Sequence, residues 1–289
     1  MKTIVRRVYL LDGGALDVES SAIVPGREYG TRIQIPVQMF LVDTSRGFIL
    51  IDTGNDPDVM EDAEGIWGRA LATAARPVME PRNHPLEQLG LLGLTESDIR
   101  MVIYTHLHHD HCGGGRFFPD AIHVVQKAEY RWASRPDQFA SLTYVPSDFQ
   151  HEQLSWKLME GDLCILPGIH LISTPGHTPG HQSIALWDVP ECGSLIIAGD
   201  AINCESSITD DLPPGFTSDA SAAASSMHRL TALASVAQAS LIVSHDMGFF
   251  DSLPKAPEPL RNMAARTREL CEAGLSSIYG DSLDPAQLM

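Results

Sequence analysis

Tyr104-Thr-His-Leu-His-His-Asp-His-Cys-Gly-Gly-Gly115 gathers His106, His108, Asp110 and His111 into six residues. Imidazoles and carboxylates are the ligands that zinc and similar divalent cations take from proteins. Just ahead, Met101 to Tyr104 is apolar and partly β-branched, and three glycines follow the last histidine closely. The ligands are therefore expected where a buried strand ends in a turn.

Upstream of this stretch, β-rich segments from Val5 to Leu11, Gln34 to Val42 and Phe48 to Asp52 are separated by Gly, Pro and Ser-Arg-Gly turns, the pattern of an antiparallel meander. The third segment delivers Asp52-Thr53-Gly54 at a strand end, either as a simple turn or as polar groups presented to a site. Asp58 to Ala75 spaces Met60, Ile66, Trp67, Ala70 and Leu71 as a helix does. It is expected to form a lid or, through an exposed Trp67, the interface of a homodimer. Pro85 to Leu94 is expected as a helix closing at Gly93, and Thr95 to Asp98 as a capped turn into the strand before the cluster.

Downstream, Ile122 to Gln126 predicts a strand, Lys127 to Ser134 a short helix, and Pro136 to Gln150, without periodicity, a surface loop. Trp156 to Leu158, Leu163 to Leu166 and Ile169 to Ser173 predict a second meander. Gln182 to Trp187 and Ser194 to Ala198 follow as strands, Ser218 to Ala239 as the longest helix, and Leu241 to Val243 as a strand ending in Ser244-His245-Asp246. A C-terminal helix is expected after the Pro-rich segment Pro254 to Pro259. No linker or repeat divides the chain, so residues 1–289 are expected to form one domain of two sheets flanked by helices.

The totals narrow the class of function. A hydrophobic fraction of 44% over 289 residues suffices for a large core. With 20 Lys plus Arg against 37 Asp plus Glu, the formal charge of -17 repels phosphate backbones and anionic lipid, so nucleic acid and membrane are excluded as partners. The N-terminus breaks its apolar residues with charge, and no apolar run reaches the length of a span, so a cytoplasmic protein is expected. The five cysteines show no paired spacing and read as reduced thiols, with Cys112 packing behind the cluster.

Three more residues of ligand type stand at expected strand ends: His177 in Ser173-Thr-Pro-Gly-His-Thr-Pro-Gly-His181, Asp200 in Ala198-Gly-Asp, and His245 in Val243-Ser-His-Asp. Together with His106-x-His108-x-Asp110-His111, they make a pattern that resembles the metallo-β-lactamase superfamily in its dinuclear form. The resemblance runs over most of the chain. It implies an α/β fold, an αββα sandwich of two mixed β-sheets flanked by helices. It also implies two divalent metal ions, zinc being readily accepted and iron, cobalt or manganese compatible. His106, His108 and His177 would hold one ion, Asp110, His111 and His245 the other, and Asp200 would bridge them. Asp110 would double as ligand and general acid. Asp52, His181 and Asp246 are candidates to hold ligands in place from behind. His84, His123, His151, His170 and His228 read as ordinary polar or surface residues.

Several phrases narrow the resemblance further. Leu10-Leu-Asp-Gly-Gly14, Val24-Pro-Gly-Arg27 before Ile35-Pro-Val37, Phe118-Pro119 with Gln126-Lys-Ala-Glu-Tyr130, and Thr174 through Ser183 are together similar to the N-acyl-homoserine lactonases and their lactonase relatives. The implied reaction opens a small-molecule lactone, an N-acyl-homoserine lactone first of all, by attack of a metal-bridging hydroxide, with Asp110 as proton donor. Two positions depart from that group. Asn203 stands three residues after the bridging aspartate, where many of these lactonases have a tyrosine, and His109 replaces a frequent apolar aromatic. Both are expected to bind substrate, and they leave room for a lactone of pyridoxolactone or butyrolactone type. A glyoxalase II-like thioesterase and a non-catalytic metal-binding protein are the alternatives.

Overall fold

The structure, a computed structural model, describes residues 2–263. The helix expected after Pro259, like Cys271, lies outside the described residues. In chain order the strands are β1 (Val5–Glu19), β2 (Arg32–Thr44), β3 (Gly47–Ile51), β4 (Arg76–Val78), β5 (Ile99–Ile103), β6 (Ile122–Gln126), β7 (Ser155–Met159), β8 (Leu163–Leu166), β9 (Ile169–Ser173), β10 (Gln182–Val189), β11 (Gly193–Ile197) and β12 (Ser240–Ile242). A seven-stranded sheet runs β4-β1-β2-β3-β5-β6-β7, and a five-stranded sheet runs β12-β11-β10-β9-β8. Both are mixed. β1, β2, β3 and β4 pair antiparallel, whereas β3, β5, β6 and β7 are joined in parallel. In the second sheet only β11 and β12 are parallel.

The period of two explains the stacking. Val8 and Leu10, Phe40 and Val42, and Ile49 and Ile51 point into a core shared with Leu171, Ile184, Leu186 and Leu195 of the second sheet. Their neighbours Tyr9 and Leu11, Met39 and Leu41, and Leu50 point the other way, against Leu89, Phe118 and Phe149. A sheet covered on both faces needs apolar residues at consecutive positions, which is why these strands read as unbroken apolar runs. The parallel connections carry helices: α1 (Val59–Ala74) and α2 (Pro85–Gly90) between β3 and β5, α3 (His109–Cys112) between β5 and β6, and α4 (Lys127–Ser134) and α5 (Pro146–Phe149) between β6 and β7. α6 (Glu205–Thr209) and α7 (Ala220–Ala237) separate β11 from β12, and α8 (Met247–Ser252) follows β12. Among the described residues no helix is long and apolar enough to cross a membrane.

Four expectations need correction. β1 does not stop at Leu11: its register with β2 shifts between Asp12 and Ala15, where Gly14 has φ 84° and its N–H bonds Asp12 Oδ1 at 2.9 Å. The Gly-Gly pair is a bulge inside a strand and not its end. β7 is not part of a second meander, because it pairs in parallel with β6 and closes the first sheet. Three residues of exposed or half-exposed character cannot reveal which sheet they join. Pro136 to Gln150 is a surface loop only in its first half; Tyr144, Val145, Asp148 and Phe149 are buried and α5 lies within it. Trp67 is not exposed either. α1 has non-helical backbone at Asp62 and Gly68, and Trp67 within it is 7% exposed.

This topology delivers one edge of the sandwich to function. β3 and β5 run in the same direction, and so do β11 and β12, so their C-terminal ends emerge side by side. β9 lies two antiparallel steps from β11 and ends at the same edge. The segments after these five strands carry Asp52, the His106 to His111 cluster, His177, Asp200 and His245.

The close packing there predicts a steric limit. A Cβ on Gly113 would stand 2.1 Å from the Asp56 nitrogen and 2.7 Å from the His109 oxygen. Gly113→Ala is expected to cost about 1–3 kcal/mol in urea unfolding, as overpacked sites do. Asp148 predicts a pH effect. Burial, reinforced by Asp56 and opposed by Arg116, pushes its carboxyl well up. An acid whose pKa rises on folding destabilises the fold above its unfolded value, so stability increases as pH falls through the raised pKa. Asp148→Asn should therefore raise the melting temperature at pH 8, and the gain should shrink at pH 5.

Candidate metal centre

The cluster's backbone is a single helical turn. His108 precedes α3, and its carbonyl accepts from His111 N at 3.0 Å and Cys112 N at 3.1 Å. The turn is tied to the end of β3 by Thr53 N, which donates to the His111 oxygen at 2.7 Å. Asp52, at φ 55° in the left-handed region that aspartate tolerates, directs its carboxylate back under the cluster. It accepts from Thr105 N at 2.7 Å, from Thr105 Oγ1 at 2.8 Å and from His111 Nδ1 at 2.8 Å.

Three groups of ligand atoms result, each with its members within 4.8 Å of one another: His106, His108 and His177; His106, His111 and Asp200; Asp110, His111 and His245. Every one of these side chains is buried. Asp200 is central, with oxygens 3.4 Å from His177 Nε2, 3.3 Å from His111 Nε2 and 3.1 Å from His245 Nε2. Asp110 Oδ2 stands 3.6 Å from His111 Nε2 and 3.7 Å from His245 Nε2.

The outer hydrogen bonds decide what can sit between these atoms. His177 Nδ1 donates to the Phe216 carbonyl at 2.8 Å, His245 Nδ1 to the Pro36 carbonyl at 3.1 Å, and His111 Nδ1 to Asp52. Thr105 Oγ1 gives its proton to Asp52, so it accepts from His106 Nδ1 at 3.1 Å. A neutral imidazole with a protonated Nδ1 has a lone pair on Nε2. Four Nε2 lone pairs therefore point inward, at two carboxylates and at His108 Nδ1, which is 3.0 Å from both His106 Nε2 and His177 Nε2. His111 Nε2 and Asp200 Oδ1 are buried without any hydrogen-bond partner. Imidazole nitrogens facing carboxylate oxygens in a buried pocket are places where cations can take the position of protons, and this donor set fits two.

Charge reinforces the fit. Burial, aided by His111, holds His106 well below the ordinary imidazole range, and burial with His177 does the same for His108. Burial also acts against charge on His111, but Asp200, Asp110 and Asp52 reverse it and raise that group well above its ordinary value, so the carboxylates favour a positive charge at its Nε2, a proton or the cation that displaces it. Asp200 is driven well down despite burial, by His245, His111 and His177.

The remaining sequence candidates are placed as follows. Asp52 orients His111 directly. His181 bonds Thr174 Oγ1 through Nδ1 at 2.8 Å, its ring lies 5.2 Å from that of His106, and burial with His177 pushes it down to about 3. Asp246, next to His245, accepts from Phe249 N at 2.9 Å and Glu205 N at 3.2 Å, so its carboxylate caps α8 and steadies α6. His109 is buried under Trp67, ring centroids 4.5 Å apart, with Nδ1 3.4 Å from Asn55 Oδ1. Asn203 is 2% exposed and donates from Nδ2 to the Ile23 carbonyl at 3.0 Å. None of His84, His123, His151, His170 and His228 enters a ligand group among the described residues.

Glu129 was not legible. On α4 it reads as a solvated acid, yet it is fully buried and accepts from Leu107 N at 3.0 Å, Tyr144 OH at 3.1 Å and Thr178 Oγ1. It thereby fastens the loop of His106 and His108 to the loop of His177, while the Tyr144 ring packs 4.7 Å from His108. Its place in Gln126-Lys-Ala-Glu-Tyr130 was the available signal.

Comparison with known proteins agrees with this geometry. The family model of the metallo-beta-lactamase superfamily matches residues 33–245. The chain is 33% identical over 257 residues to the N-acyl homoserine lactonase AttM of Azorhizobium caulinodans, covering 87% of this chain and 97% of the relative. It is 29% identical over 245 residues to the N-acyl homoserine lactonase AiiA of Bacillus thuringiensis subsp. kurstaki, covering 84% and 94%. A solved structure of an N-acyl homoserine lactone hydrolase, with the product N-hexanoyl-L-homoserine bound at its catalytic metal centre, superposes with a TM-score of 0.81 at 27% identity, covering 90% of this chain and all of that one.

Because the Asp52 carboxylate fixes the His111 tautomer, Asp52→Ala is expected to weaken binding at one of the two metal positions by about 10–100-fold. Zinc titration against a competing chelator measures this, and far-UV circular dichroism checks that the fold is retained.

Proposed function

The chain belongs to the metallo-β-lactamase superfamily, and from that premise we propose that it is a metal-dependent lactonase that opens N-acyl-homoserine lactones. The observation that carries the reading is the inward convergence of imidazole lone pairs on Asp200 beside Asp110, in a chain that aligns with lactonases over most of its length. Two divalent cations bound there would polarise the ester carbonyl and lower the pKa of water to about 7.

The chain's own groups supply the rest. Asp110 turns Oδ2 to His111 and His245, while Oδ1 lies 4.0 Å from His109 Nδ1. Oδ1 is thus the atom placed to carry a proton to the departing ring oxygen, which leaves as the hydroxyl of the ring-opened acid. Burial opposes ionisation of Asp110, but His111, His109 and His245 hold its carboxyl below the usual range, so it stands ionised at neutral pH and would first take up the proton released by the attacking water and then pass it to the ring oxygen as the ester C–O bond breaks. Trp67, whose ring centroid lies 4.5 Å from that of His109, joins this side of the site to a buried apolar cluster with Ile23, Val24, Val59, Leu71 and Val145.

A panel of N-hexanoyl-homoserine lactone, γ-butyrolactone and a glutathione thioester, followed by proton release, tests the reading. The homoserine lactone should be opened fastest. Asp110→Asn should lower kcat by about 10²–10⁴-fold, and Asp200→Ala should abolish turnover with the fold intact. Hydrolysis of the thioester alone would replace this reading with a glyoxalase II-like one, and γ-butyrolactone as the best substrate would replace the acyl-homoserine assignment.

A further inference from the structure

We propose that Asn203 is a positioning residue that couples the two halves of the metal centre, acting on His245 through its main chain and on His177 through its side chain. The inference rests on the cluster being a metal centre and does not depend on which lactone is opened.

The coupling is a continuous series of hydrogen bonds. The Asn203 carbonyl accepts from His245 N at 2.7 Å, which fixes the backbone of one ligand. Its side-chain Nδ2 donates to the Ile23 carbonyl at 3.0 Å, and Oδ1 accepts from Ser244 Oγ at 3.4 Å. The same Ile23 carbonyl accepts from Gly215 N at 3.2 Å, and the adjacent Ala22 carbonyl from Phe216 N at 2.8 Å. Residues 22–23 and 215–216 thus form a strap, held on one side by the Asn203 amide. Phe216 ends the series: its carbonyl accepts from His177 Nδ1 at 2.8 Å, and its ring lies 5.9 Å from that of His108.

The strap has little freedom. A Cβ on Gly215 would lie 1.9 Å from the Ser21 oxygen. Only glycine allows the two segments to approach this closely, so the Phe216 carbonyl reaches His177 at a fixed place. The amide of Asn203 is the side chain that joins this strap to the strand end carrying His245.

The test uses the full chain loaded with zinc, with two readouts that need no substrate: zinc affinity against a competing chelator, and hydrogen exchange at the Gly215 and Phe216 amides. Asn203→Ala should speed exchange at both amides and weaken one zinc position by about 10–100-fold. Gly215→Ala, which disturbs the strap without touching Asn203, should do the same. Asn203→Asp keeps the size but loses the donor to Ile23, and should match Asn203→Ala; if Asn203→Ala does not fold, these other two variants carry the test. Unchanged zinc affinity, with or without faster exchange, overturns the coupling. A rise in KM alone would make Asn203 a substrate contact and overturn it as well. A wild-type protein that opens no lactone would refute the proposed function and leave both of these readouts intact.

Discussion

The structure depends on one electrostatic constraint: five imidazoles and two carboxylates converge as buried side chains. Such a set is unfavourable by itself, since buried lone pairs without partners lose the hydrogen bonds that water would give them. Each imidazole could relieve this by turning its protonated nitrogen inward. Instead, for four of the five, Phe216 and Pro36 carbonyls, the Asp52 carboxylate and Thr105 Oγ1 accept from Nδ1 on the outer side. The surrounding fold thus holds the pocket in a state that cations satisfy.

The sandwich makes that arrangement affordable in geometric terms. Parallel pairing of β3 with β5 and of β11 with β12 brings strand ends from distant parts of the chain to one edge. Rigid strands set the separation of the loops, and a small number of buried polar groups lock the loops together. Asp52 joins the end of β3 to the histidine cluster, and Glu129 joins that cluster to the His177 loop. Gln38 holds the β12 end, donating from Nε2 to the Val243 and Ser244 carbonyls at 3.0 and 2.8 Å. The convergence of these side chains and the closure of their loops are therefore parts of one network, in which loss of an outer partner is felt at an inner nitrogen.

Much of this was legible residue by residue, and the failures share a cause. His106 to His111 declared themselves because ligand residue types crowd a short span. The β3, β5 and β10 strands declared themselves through unbroken apolar runs. Trp67, Tyr144, Glu129 and Asp246 did not, since their roles depend on what packs against them from elsewhere. Trp67 is buried on an α1 whose backbone is non-helical at Asp62 and Gly68, an irregularity that spacing counts ignore. Glu129 carries a charge that local reading assigns to solvent, yet its three donors come from residues 107, 144 and 178.

By itself, the sequence determined which residues of ligand type come together, the apolar strands that end beside them and the family resemblance, because each is a matter of residue type and local spacing. Tertiary structure alone decided which sheet β7 joins, that the Gly13-Gly14 pair bulges a strand, and that Asn203 turns its amide toward Ile23. Those outcomes are set by contacts between segments far apart in the chain, whose energies depend on three-dimensional approach and leave no mark on local periodicity.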